Sequence, residues 1–180
     1  YIWDNASRPD TAVYLAGLLN EYQTNPDPNW SIEVFNSDQN IGFIQPNNEM
    51  AGWGTSDYMI LVNTDCKVFP MWDRVLIGHL KEHPNVAQVG FWGGHMDEQG
   101  IGFGGSSGDY IDYIPGWCFC ISRDTYDKHG LFNKQLTFAY AEDADLSLRL
   151  KEAGHEIYAL YAPLLHHYQN KTIVEVANEG

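Results

Sequence analysis

The run Tyr58-Met59-Ile60-Leu61-Val62 constrains this chain more than any other feature. It is a short, unbroken apolar stretch, and it stops at once at Asn63-Thr64-Asp65. A run of that length, closed by polar residues, reads as a strand buried on both faces, the kind found in a sheet that helices cover on each side. A helix over about Met71 to Glu82 and a strand over Val86 to Phe91 follow it, as that architecture requires.

The rest of the chain keeps the alternation. Asp10 or Thr11 can cap a helix in which Val13, Leu15, Leu18, Leu19 and Tyr22 recur at helical spacing. A loop at Pro26 to Asn29, a short strand at Ile32 to Phe35 and a helical stretch near Phe43 to Gly52 come next. Further on lie a strand from Trp117 to Ser122, a short helix ending near Gly130, and the clearest helix, Ala139 to Ala153, closed by Gly154. A last strand, Ile157 to Tyr161, precedes His166-His167 and a tail to Gly180. The expectation is an α/β fold with a mostly parallel central sheet between two helical layers. Ligands of such sheets bind beyond the carboxyl ends of the strands, where the turns at Asp4 and at Asn63 to Asp65 both fall.

At 180 residues the chain is read as one catalytic domain, with a half over 1–92, a second half over 93–168 and a tail over 169–180. An apolar fraction of 44% and an aromatic fraction of 14% argue for a packed core. The formal charge of −14 excludes nucleic acid as a natural partner. An anionic small molecule could bind only where a cation, a basic side chain or backbone N–H groups offset the field. Three cysteines cannot complete a disulfide framework, and Cys118 and Cys120 alternate along a strand as buried thiols would in a reducing compartment. No apolar run approaches the roughly 20 residues of a membrane span, and a cytoplasmic location is expected. Asn5-Ala6-Ser7 and Asn170-Lys171-Thr172 match the glycosylation acceptor pattern, which chance produces often.

Several side chains could carry chemistry, and each has a plainer explanation. Asp65, with Asn63 two residues before it, suits a hard divalent cation with oxygen ligands, or simply makes a turn. Glu142, Asp143 and Asp145 lie in the first turns of the strongest helix, where acidic residues complement the helix dipole; one of them could instead take the proton of a hydroxyl group. His166 and His167 are neighbours and point in opposite directions, so at most one completes a metal site. The seven glycines between Gly93 and Gly108 read as a flap or as a surface loop. They do not open a helix after a strand, so a dinucleotide-binding loop is excluded.

The stretch Gly130-Leu131-Phe132-Asn133, followed by Phe138-Ala139-Tyr140-Ala141-Glu142-Asp143-Ala144-Asp145-Leu146, then Arg149 and Gly154, closely resembles a known signature. It belongs to the family-2 inverting glycosyltransferases of the GT-A fold, especially their rhamnosyltransferase-like branch. Trp3-Asp4-Asn5-Ala6-Ser7 is similar to that family's nucleoside turn, Asn36 to Phe43 to its N-x-G-F segment, and Tyr58 to Asp65 to its version of the D-x-D motif. Ile114 to Cys118 is similar to a further family strand. The resemblance runs in order from Trp3 to about His167.

It implies a GT-A, Rossmann-like three-layer α/β/α sandwich. It also implies transfer of a sugar from a UDP-, GDP- or dTDP-sugar donor to the hydroxyl of a glycan or other acceptor, by a single inverting displacement. Asp4 and Asn5 would contact the nucleoside. Asp65 would coordinate Mn2+ or Mg2+, with Asn63 near the ribose or a metal-bound water. Asp143 would be the base and Glu142 would help orient the acceptor. One of His166 and His167 would complete the metal site, with His167 favoured because Thr172 then matches the family's spacing. The family's usual first strand has no counterpart here, which leaves a shortened chain, a natural minimal form, or completion by a partner chain such as a homodimer mate. The D-x-D equivalent begins with Asn, leaving Asp65 as its one acidic ligand. A non-catalytic nucleotide-sugar-binding module and a sugar nucleotidyltransferase are the alternative readings.

Overall fold

The computed structural model describes residues 1–100, 102–136 and 141–168. Ala139 and Tyr140, at the expected start of the strongest helix, and the tail with Asn170-Lys171-Thr172 lie outside the described residues. The chain divides into two compact units, one built from Tyr1–Trp53 with residues 134–136 and the other from Gly54–Asn133 with residues 141–168.

In the first unit, β1 (Ile2–Asn5) crosses over through α1 (Pro9–Thr24) to β2 (Val34–Ser37), which pairs parallel to it, and α2 (Ile44–Trp53) follows. The register sets Trp3 opposite Phe35. Trp53, the last residue of α2, lies on both rings, with centroids 5.9 Å from Trp3 and 4.1 Å from Phe35. Three large aromatic side chains thus supply much of the apolar contact in this unit. The expected side-chain cap at Asp10 or Thr11 is not used. Arg8 is the N-cap and Pro9 starts the helix, because its fixed φ is already helical and its missing N–H has no partner to lose. The apolar stripe of α1 is also narrower than its spacing suggests: Leu15 is buried but Val13 is 73% exposed.

The second unit contains, in chain order, β3 (Tyr58–Val62), β4 (Cys66–Val68), α3 (Trp72–Glu82), β5 (Val86–Gly90), β6 (Gly93–Met96), β7 (Gly102–Ser106), β8 (Cys118–Ser122), α4 (Arg123–His129), α5 (Glu142–Glu152), β9 (Glu156–Ala159) and β10 (Leu165–His167). Its main sheet has the order β3-β8-β5-β9. β8 is antiparallel to both neighbours and β9 is parallel to β5, so three strands run one way and β8 runs against them. One correction concerns β3, expected to be buried on both faces. It is one of the two outer strands of this sheet, it is half-buried, and Val62 is 40% exposed. The fully buried strand is β5, which has neighbours on both sides.

Both faces of the sheet are covered. On one, Leu76 and Leu80 of α3 pack with Val89, Cys118 and Cys120. On the other, where strand alternation puts Gln88, Phe119 and Ile121, α5 attaches by a buried polar link. Ser147 Oγ donates to Gln88 Oε1 at 2.7 Å and accepts the backbone N–H of Ile114 at 3.0 Å. Phe119 also meets Phe132 edge-on at 6.1 Å. This is the expected three-layer arrangement. Cys118 and Cys120 are buried free thiols within it. No helix among the described residues is long and apolar enough to cross a membrane.

The glycine-rich segment forms an antiparallel hairpin, β6 with β7. Two of its glycines, Gly94 and Gly102, have a packing cause in Tyr113. A Cβ added to Gly94 would lie 2.2 Å from Tyr113 Cζ, and one added to Gly102 would lie 2.7 Å from the Tyr113 hydroxyl. The hairpin backbone therefore lies directly on the Tyr113 ring, which only glycine permits.

Candidate metal and catalytic site

A pairing too short to show in the sequence builds the site in the second unit. β4 and β10, three residues each, run antiparallel, with Cys66 opposite His167 and Val68 opposite Leu165. The backbone N–H of Tyr168 donates to Asp65 O at 3.0 Å, extending the ladder by one residue. Residues 102 positions apart in the chain are thereby fixed side by side: His167 Nε2 lies 3.1 Å from Asp65 Oδ2. The Trp117 indole stacks on the His167 ring, with centroids 4.9 Å apart and planes 19° apart, and so fixes its orientation.

Asp65 Oδ1 is buried and has no hydrogen-bond partner among the described residues. A buried, unsatisfied carboxylate oxygen costs on the order of 1–3 kcal/mol or more. A cation bound beside it would satisfy that oxygen. Carboxylate oxygen with imidazole nitrogen is a donor pair that suits a first-row divalent ion such as Mn2+, so these residues fit one. Cys66 adds a thiol: the ligand atoms of Asp65, Cys66 and His167 all lie within 4.8 Å of one another. Burial, and then the Asp65 charge, push the Cys66 thiol up to about 11.

The sequence-derived candidates fall out unequally. Asp65 and His167 are brought together. His166 is not: it is exposed, on the other side of β10, with its ring edge-on to Tyr168 at 4.7 Å. Asn63 contributes through its backbone, its N–H donating to Trp117 O at 2.9 Å and its carbonyl accepting from Cys66 N at 3.1 Å. Glu142 is buried and Asp143 half-buried at the start of α5, which begins after Ala141 in a left-handed conformation at φ 66°. Asp143 Oδ1 accepts the backbone N–H of Ala144 at 2.8 Å, and Oδ2 accepts that of Gly116 at 2.9 Å. Burial, and then the Asp143 charge, raise the Tyr113 phenol above its ordinary value, so the tyrosine stays neutral in the field of that carboxylate.

Gly116 and Trp117 join the two halves of the site. One residue holds Asp143 by its amide. The next stacks on His167 with its ring and receives Asn63 N–H on its carbonyl. Asp145 and Arg149 have a scaffolding part instead. Arg149 Nε donates to Asp145 at 2.8 Å, while its two terminal nitrogens donate to the carbonyls of His129 and Leu131. These bonds tie α5 to the chain that leads towards it.

In the first unit, Asp4 is buried and its Oδ1 accepts the backbone N–H of Ser7 at 2.9 Å. Asn5 is committed within the unit. Its Nδ2 donates to Asn40 Oδ1 and Gly42 O, both at 2.9 Å, and its Oδ1 accepts Ile41 N–H at 2.9 Å and the Ser37 hydroxyl at 3.3 Å. Two donors and two acceptor sites are all an asparagine amide has, so this side chain shapes the 37–42 loop. Cys66, Tyr113 and Ser147 carry no motif of their own in the sequence; the one sign is the position of Cys66 directly after Asp65.

With this fold and site in view, the chain can be placed among known proteins. A glycosyl transferase family 2 model matches residues 1–134, and the chain belongs to that family. The matched stretch includes Asp4, Asn5, Asn63 and Asp65 and ends before Glu142. Among solved structures, the fold is similar to that of GalNAc-T7, determined with UDP, GalNAc and Mn2+. The TM-score is 0.73 and the identity 15%, over 92% of this chain and 37% of that one. It is also similar to the mannosyltransferase PcManGT from Pyrobaculum calidifontis in complex with GDP-Man and Mn2+. Here the TM-score is 0.65 and the identity 13%, over 95% of this chain and 48% of that one. The fold is therefore GT-A, and the chain spans less than half the length of either protein. No curated protein sequence matches this chain.

Proposed function

We propose that this chain is the catalytic core of a metal-dependent, inverting glycosyltransferase that uses a nucleotide-sugar donor. The observation that carries the proposal is the Asp65–His167 contact at 3.1 Å beside a buried, unpartnered Asp65 oxygen, joined through Trp117 and Gly116 to the Asp143 carboxylate. Both solved relatives named above were determined with Mn2+ and a nucleotide, which supports the same ligand class here.

In this reading Asp65 and His167 hold a divalent cation. The imidazole favours Mn2+ over Mg2+, which prefers oxygen donors throughout. When bound, the cation supplies Lewis-acid stabilisation of the departing nucleoside diphosphate. It also answers how a protein of net charge −14 accepts an anionic donor. Asp143 takes the proton of the acceptor hydroxyl as that oxygen attacks the anomeric carbon from the face opposite the leaving group, so the configuration inverts. The Gly116 amide fixes the direction in which Asp143 presents its Oδ2. Glu142, buried next to it, orients the acceptor. Asp4 contacts the nucleoside, and Asn5 acts there by holding the loop that follows β2. Assignment to the rhamnosyltransferase-like branch rests on the sequence motif alone.

Incubating the protein with a panel of UDP-, GDP- and dTDP-sugars, with Mn2+ or with a chelator, tests this reading. Metal-dependent release of nucleoside diphosphate, with products of inverted anomeric configuration by NMR, is the expected result. Metal-dependent nucleotide binding with no turnover against any acceptor would instead identify a binding module.

A further inference from the structure

We propose that Asp65, Cys66 and His167 form a three-donor oxygen, sulfur and nitrogen site that captures Zn2+ or another thiophilic cation in preference to Mn2+. The inference rests on the proposed function only in that the site includes the two residues assigned there to the donor's cation.

Three observations converge on it. The ligand atoms of the three residues lie within 4.8 Å of one another. Cys66 and His167 are directly opposed in the β4–β10 ladder, so their side chains share a face. Asp65 Oδ1 is a buried oxygen left without a hydrogen-bond partner among the described residues.

The chemistry distinguishes the ions. Zinc accepts carboxylate, imidazole and thiolate together, and a set of three protein ligands with one open position is a stable arrangement for it. Its bond lengths of about 2.0–2.3 Å place ligand atoms roughly 3.3–3.6 Å apart. Asp65 and His167, at 3.1 Å, are already near that spacing, and the sulfur has to close by about an ångström. The sulfur has little to lose in doing so, since its contact with Trp117 O at 3.5 Å is a weak one. On binding, a metal–sulfur bond forms, the S–H proton passes to solvent, and no oxidation is involved. Mn2+ prefers oxygen and nitrogen donors, gains little from the thiol and uses only the other two residues.

Cd2+ and Zn2+ titrations of the whole chain test the proposal without any turnover assay. One equivalent of Cd2+ should produce a sulfur-to-metal charge-transfer band in the ultraviolet, and Zn2+ should displace it. In Cys66→Ser the band should vanish and Zn2+ affinity, measured by competition with a chelating dye, should fall by at least about 100-fold, since even a supporting residue of a metal site is worth 10–100-fold. Mn2+ affinity, read by electron paramagnetic resonance, should change little. Circular dichroism of the variant checks that it folds, and Cys66→Ala provides a second truncation. Cd2+ binding without the band, or equal Zn2+ affinity in the wild type and Cys66→Ser, would overturn the inference. If that happens while Mn2+ binding still depends on Asp65 and His167, the thiophilic site alone fails. If wild-type protein binds none of these ions, the proposed function fails with it.

Discussion

The backbone N–H of Gly116 donates to Asp143 Oδ2 at 2.9 Å, and the next residue, Trp117, stacks on His167. A displacement of this short segment would therefore disturb the proposed base and the proposed metal pair together. The arrangement accounts for two parts of the site, distant in sequence, being held in one geometry.

Asp143→Asn should lower kcat by about 10²–10⁴-fold, the usual contribution of a positioned base. Asparagine has one oxygen for the two backbone N–H groups that Asp143 accepts, from Gly116 and Ala144, so one bond is lost at a cost of about 1–3 kcal/mol, while the affinity for nucleoside diphosphate should be retained. Steady-state kinetics beside calorimetric nucleotide binding separates the two effects. Turnover at the wild-type rate would remove Asp143 from the base role.

Ser147→Ala should destabilise the protein by about 2–4 kcal/mol, because it strands two buried groups at once, Ile114 N–H and Gln88 Oε1. Chemical denaturation followed by tryptophan fluorescence measures this. Ser147→Thr keeps the hydroxyl but adds a methyl where there is no exposure at all, so it should recover only part of the loss.

Gly94→Ala should cost on the order of 1–3 kcal/mol, since its Cβ would meet Tyr113 Cζ at 2.2 Å. A smaller ring-side residue should relieve it. The double variant Gly94→Ala with Tyr113→Leu should thus be less destabilised than the sum of the two single changes, read as a double-mutant cycle in thermal unfolding.

Much of this molecule could be read directly from its residues. The apolar run Tyr58–Val62 is a strand with those bounds, and a helix from Glu142 to Glu152 lies within the stretch expected to be helical, though Ala141, in the left-handed region, precedes it as its N-cap. Hydrophobic periodicity acts within a few residues, so it survives in the sequence. The burial of β3 could not be read so well, because whether a strand lies at the centre or the outside of a sheet depends on strand order. The β4–β10 ladder had no signature at all: three residues are too few for a period-two pattern. Cys66 meets His167 only through that ladder, so the sequence alone does not mark it as a ligand. Gly94 of β6 and Gly102 of β7 show the same limit, for their cause lies in a tyrosine brought against them by the fold.

The central claim is that Asp65 and His167 hold the cation through which the donor diphosphate binds. Titrating UDP and GDP calorimetrically into the protein, with Mn2+ or with a chelator, tests it most directly when repeated on Asp65→Asn and His167→Ala. Binding that requires Mn2+ in the wild type and is lost in both variants is the expected result. Nucleotide binding that is equal with Mn2+ and with chelator, or that persists with Mn2+ in both variants, would contradict the account.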